Sequence, residues 1–99
     1  MSAIEASRRH LEERIEAFIA FHEASGQPPD YFAGEYLVRA LASLKAGDYA
    51  AGEARLRLAE TPAEHRSPED VAQVPKGYAL LSTAEHRRSF ERTKLGQLR

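Results

Sequence analysis

Four histidines, at positions 10, 22, 65 and 86, are the residues of this chain best suited to proton transfer or metal binding. Their spacing points away from both. None belongs to an H-E-x-x-H pair, and none has a glutamate three residues before it, the pattern that di-metal helical bundles use. His22 falls in an apolar stripe near a helix end, where the negative helix terminus favours a partly buried imidazole. Cysteine is absent, so thiolate and disulfide chemistry are excluded. Carboxylates are plentiful, among them Glu12, Glu13, Glu16, Glu53, Glu60, Glu64, Glu69 and Asp70. Acid–base work needs them in a cleft that shifts their pKa. Here most fall opposite apolar stripes or at helix starts, as solvated faces and caps do. Gly47 and Gly52 have the spacing that opens a phosphate-binding loop, but Glu53-Ala54 follows where Lys-Ser/Thr is required. Ser67, followed by acids, has the form of a phosphorylation site, and a capping role accounts for the same residues. The expectation is a chain that is not an enzyme, with no catalytic residue, metal ligand or cofactor.

The cluster best placed for surface work is basic. Arg87, Arg88, Phe90, Arg92, Lys94 and Leu95 combine positive charge with apolar groups near the C-terminus. They sit where the charge changes sign. Residues 1–73 hold eight Lys/Arg against thirteen Asp/Glu, a net of −5; residues 74–99 hold six against two, a net of +4. The whole chain is therefore near neutral, at −1. The expected role of the six residues is contact with a protein or peptide partner. The alternative is a nucleic-acid-associated protein, with the cations on phosphates and Phe90 stacked on a base. A slightly acidic chain lacks the strong basic field usual for that class.

The chain has 99 residues, enough for one modest core. Hydrophobic residues make up 42% and charged residues 29%, a globular balance and not a disordered one. No apolar core of a signal peptide follows Met1. The longest stretch without charge runs only from Gly77 to Ala84, too short to cross a bilayer. The expected location is the cytoplasm.

Five helices are predicted. Ser2-Ala3-Ile4-Glu5 has capping-box form, and Ile4, Leu11, Ile15, Phe18, Ile19 and His22 follow on one face. Gly26, Pro28 and Pro29 end this helix, which spans about 3–24. Asp30 caps the next, with Tyr36, Leu37, Ala40, Leu41 and Leu44 at helical spacing. Gly47 ends it in the left-handed conformation and Asp48 caps a third helix, striped by Tyr49, Gly52, Leu56 and Ala59. Two linking residues force the pair into an antiparallel hairpin. Small Ala40 and Gly52 permit close approach. Thr61-Pro62 ends the third helix, and Ser67-Pro68-Glu69-Asp70 starts a short fourth one, broken by Pro75 and Gly77. Tyr78, Leu80 and Leu81 are expected to dock on the core. Ser82-Thr83-Ala84-Glu85 starts a fifth helix with one large apolar residue, Phe90, before Leu95. That weak stripe predicts a helix exposed or mobile in the free chain.

From about Gly34 to Pro62 the chain resembles a tetratricopeptide-repeat hairpin. Tyr36, Ala40, Gly47-Asp48-Tyr49, Gly52, Leu56 and Ala59 match that pattern in order. Arg39 departs where a leucine is usual, Ser43 where an aromatic is usual, and Pro62 comes early. The single repeat covers about a third of the chain. The resemblance implies protein or peptide binding in a helix-lined groove. The expected fold is thus all-α, a bundle of four to five helices. Residues 1–82 form its core domain and 83–99 a basic C-terminal helix or tail. A homodimer is a further expectation, covering exposed Phe and Leu.

Overall fold

A computed structural model describes residues 2–74 and 81–97. These residues form five α-helices: α1 (Ala3–Ser25), α2 (Tyr31–Ala46), α3 (Tyr49–Glu60), α4 (Pro68–Ala72) and α5 (Thr83–Gln97), with a 3-10 turn at Ala63–His65. Among the described residues there is no strand. The predicted all-α bundle is the observed one.

The helix ends follow their local chemistry. Ser2 accepts the Glu5 N–H at 3.1 Å, Asp30 that of Ala33 at 2.9 Å, and Ser67 that of Asp70 at 3.1 Å. At α5 the box is reciprocal. Glu85 N–H donates to Ser82 Oγ at 3.1 Å, and Ser82 N–H donates to Glu85 Oε1 at 3.0 Å. Gly47 closes α2 with φ +84°, its N–H on Leu44 O, and Asp48 N–H reaches back to Ser43 O at 2.9 Å. The next helix begins two residues later, so α2 and α3 form the predicted hairpin.

α2 is the central helix, packed by α1, α3 and α5. Leu37, Ala40, Leu41 and Leu44 are buried on it, with Leu11, Ile15 and Ile19 from α1 and Leu56 and Ala59 from α3. Gly52 lets α3 sit close. A Cβ there would lie 2.5 Å from Leu11 Cδ2, 3.3 Å from Ser43 Cβ and 3.6 Å from Ala40 O. Tyr36 is buried as predicted, while Tyr49 is half-buried against the core. Ile4 leaves the predicted stripe and is 70% exposed, for the buried face of α1 begins only at Leu11. Leu81 is half-buried. Pro75, Gly77, Tyr78, Leu80 and Leu98 lie outside the described residues.

The main correction concerns α5. The predicted exposed helix packs on α2 and α1, and Phe90 is fully buried with the rest of the core. His86, one turn earlier, is 1% exposed. The physical reason is the composition of the buried stripe. His86, Phe90 and Thr93 recur at helical spacing with Gln97 one turn on, and all except Phe90 register as polar in a hydrophobicity pattern. Gln97 Nε2 donates to Leu44 O at 2.5 Å and so serves a carbonyl at the end of α2. Its partner lies near the end of α2, and His86 lies by Gly34 near the start. α5 therefore runs in the same direction as α2.

Candidate functional site

The six residues predicted to meet a partner do not share one exposed face. Three are used inside the molecule. Arg87 grips Glu23 of α1 with two parallel bonds, Nε–Oε2 at 3.1 Å and Nη2–Oε1 at 2.7 Å. It also pairs with Glu16 of α1 and, at 3.5 Å, with Glu91. These hydrogen bonds raise the pKa of Arg87 further and hold the Glu23 carboxyl below its ordinary range. Phe90, buried, has no exposed face to offer. Lys94 covers it, its Nζ 5.0 Å from the ring centroid. The base-stacking role considered for Phe90 is therefore closed by its burial.

The other three face water. Arg88 and Arg92 are exposed, and Leu95 is 62% exposed. Their spacing of four and three residues puts them on one face of α5. Beside that face α5 meets α2 across a groove of about 390 Å³. Val38, Leu41, Ala42 and Lys45 line it from α2, and Ser89, Arg92 and Thr93 from α5. Its floor is aliphatic and its two charges are both positive. Neither Lys45 nor Arg92 makes an ion pair among the described residues, whereas Arg8, Arg14, Arg39, Arg66 and Arg87 all do. Thr93 Oγ1 donates to Ser89 O at 2.9 Å, a bond that turns its hydroxyl along the helix. Sequence spacing does not single out Lys45, Ser89 or Thr93. They become neighbours only because α5 lies along α2.

A second groove, of about 510 Å³, opens between α1, the start of α2 and the end of α3. Phe18, Phe21, His22, Ala33 and Ala59 line it. Phe21 is 68% exposed and meets His22 edge-on, with ring centroids 5.2 Å apart. The charges at its rim are already matched. Asp30 accepts from Arg66 at 2.8 Å, and Glu60 from Arg14 at 2.5 Å. Burial pushes the Asp30 carboxyl up, but hydrogen bonds from Arg66 and the Ala33 N–H outweigh it and hold the pKa low. Arg66 also lies 4.4 Å over the Phe32 ring, tying the turn after α3 to the start of α2. No sequence pattern marks that residue.

The histidines separate in the same way. His10 contacts Glu53 at 3.1 Å, and His22 Nδ1 lies 3.1 Å from Gln27 O at the end of α1. His86 is the unusual one, because neither ring nitrogen has a hydrogen-bond partner among the described residues. A Cβ on Gly34 would lie 3.7 Å from its Nε2. Burial lowers its pKa, opposed by Glu85 and assisted by His22. Among the described residues no group of three or more His, Asp or Glu is placed to hold a metal ion, and no helix is long and apolar enough to cross a membrane. No protein family matches the chain, and neither a curated protein nor a solved structure matches it significantly.

Proposed function

We propose that this chain is a non-enzymatic interaction module of the cytoplasm that receives a segment of a protein partner in the groove between α2 and α5. The observation that carries this reading is the pairing of an aliphatic floor with two cations, Lys45 and Arg92, that make no ion pair among the described residues. Desolvated apolar surface supplies affinity, and uncompensated charge supplies orientation. The tetratricopeptide-like order of residues in α2 and α3 supports the same reading, since helical hairpins of that kind present peptide-binding surfaces. A nucleic-acid role has less support, because the one aromatic of the basic cluster is buried.

The test is site-specific photo-crosslinking in cells. A photoreactive residue at Ala42, in the groove, is expected to trap a discrete protein adduct that survives nuclease treatment and disappears with Arg92→Glu. The same residue at Glu13, on the exposed side of α1, is expected to trap none. Adducts that vanish with nuclease would transfer the function to nucleic acid. Equal labelling from both positions would remove the groove from the account.

A further inference from the structure

We infer that the segment received between α2 and α5 is acidic, one that sets an apolar anchor between carboxylates. This rests on the proposed function and specifies its partner. Arg14 meets Glu53 and Glu60, Arg66 meets Asp30, and Arg87 meets Glu16 and Glu23, while exposed Arg9, Arg55 and Arg57 make no ion pair among the described residues. What sets Lys45 and Arg92 apart is that the two unpaired cations line one apolar groove. At this groove Lys45 and Arg92 converge with no acid lining it, and exposed Arg88 lies one turn from Arg92. Like charges gathered beside an apolar floor repel one another until an anion joins them.

The α2 wall runs from Val38 to Lys45, about 10 Å at the helical rise. That length suits a segment of about two turns, with an aliphatic side chain on Val38 and Leu41 and a carboxylate toward each cation. The Ser89 hydroxyl, without a side-chain partner among the described residues, adds a donor for a carboxylate oxygen.

A second copy of the chain would also bring acids, since residues 1–73 carry a net charge of −5, from eight Lys/Arg and thirteen Asp/Glu. Many of them are engaged at home. Glu12, Glu16, Glu23, Asp30, Glu35, Glu53 and Glu60 all pair with the chain's own Arg residues. Using them on a neighbour would break those pairs, and the acids without such pairs, Glu5, Glu13, Asp48, Glu64, Glu69 and Asp70, are scattered along residues 1–73, their one adjacent pair sitting on a helix of only five residues, so a separate acidic segment of two turns is the better occupant.

The experiment is fluorescence anisotropy on the full chain with dye-labelled twelve-residue peptides. One peptide alternates Glu and Leu pairs, and its isostere carries Gln for every Glu. The acidic peptide is expected to bind at least about tenfold tighter, with the difference shrinking as salt is raised. Lys45→Glu with Arg92→Glu is expected to abolish that binding and to confer binding of a Lys/Leu peptide. Both residues are charged, exposed and without an ion pair among the described residues, and circular dichroism checks that the variant folds. Equal binding of acidic peptide and isostere would overturn the acidic assignment while leaving a peptide groove. Absence of binding by all peptides, together with no crosslink at Ala42, would overturn the groove itself. Two further outcomes would also overturn the inference. One is tighter binding of a duplex DNA oligonucleotide than of the acidic peptide. The other is concentration-dependent self-association that the acidic peptide competes away.

Discussion

Gly52 and Gly96 are both helical glycines, yet alanine should act on them in opposite ways. Each exchange removes backbone freedom from the unfolded chain and raises helix propensity, worth up to about 1 kcal/mol. At Gly96 a Cβ meets nothing within 4 Å, so Gly96→Ala is expected to stabilise by about 0.5–1 kcal/mol. At Gly52 the Cβ would lie 2.5 Å from Leu11 Cδ2, and Leu11 is fully buried with little room to turn away. Overpacking of this kind costs about 1–3 kcal/mol and outweighs the propensity gain. Urea unfolding of the two variants tests the contrast, and a parallel gain in both would show that α3 sits farther out. His86 gives a second expectation at this scale. Its folded pKa is depressed, so the unfolded chain binds the extra proton. Stability is then fully present above the ordinary histidine value near 6.5 and is lost as pH falls through the folded value. One proton limits the slope to about 1.4 kcal/mol per pH unit. His86→Leu is expected to flatten that slope between pH 7 and 5. Glu23, held low by Arg87, and Glu85, held low by the Ser82 N–H, act only in a lower window, below 4.5. An unchanged slope in the leucine variant would assign the titration elsewhere.

At the scale of the element, α5 divides into an inner edge that holds it to the bundle and an outer edge that is free. Phe90 and His86 are inside, Arg87 clamps to α1, and Gln97 reaches the last turn of α2. Phe90→Ala is expected to cost about 3–5 kcal/mol in chemical denaturation. Arg92→Ala, on the free edge, is expected to change stability by less than about 0.5 kcal/mol. If the two variants were equally stable, α5 would not be part of the core. This helix also shows where the sequence is readable. The bounds of α1, α2 and α3 follow from Gly26, Asp30, Gly47 and Asp48, because caps are local chemistry. The hairpin follows from the two-residue link. The packing of α5 is hidden, because its buried stripe is one phenylalanine among His86, Thr93 and Gln97, and burial of polar groups depends on a neighbour distant in sequence. The groove is hidden for the same reason. Lys45 and Arg92 are 47 positions apart in sequence, and only the parallel course of α2 and α5 makes them one site.

For the molecule as a whole, the burial of α5 bears on whether residues 83–99 fold as a tail or as part of the domain. The radius of gyration is 13.3 Å, close to the value of about 13 Å for a folded chain of 100 residues. A projecting helix would raise it. Phe90 also belongs to the same buried cluster as Leu11, Leu37 and Leu44, so no gap in the core separates α5 from the rest. Unfolding should therefore be one transition. Tyrosine fluorescence of a Tyr78→Phe chain, which leaves Tyr31, Tyr36 and Tyr49 around the hairpin as reporters, and far-ultraviolet circular dichroism, reporting all helices, are expected to give the same urea midpoint. A chain ending at Ser82 loses Phe90, His86 and the Arg87 clamp together. Domains of this size have only about 5–15 kcal/mol in total, so truncation is expected to lower stability by several kcal/mol and to broaden the transition. Two separate midpoints in the full chain, or a truncated chain as stable as the intact one, would show that α5 folds independently. The measurement also bears on binding. If α5 and the hairpin unfold together, the groove between them is already formed in the free protein, and a partner segment does not have to order it first.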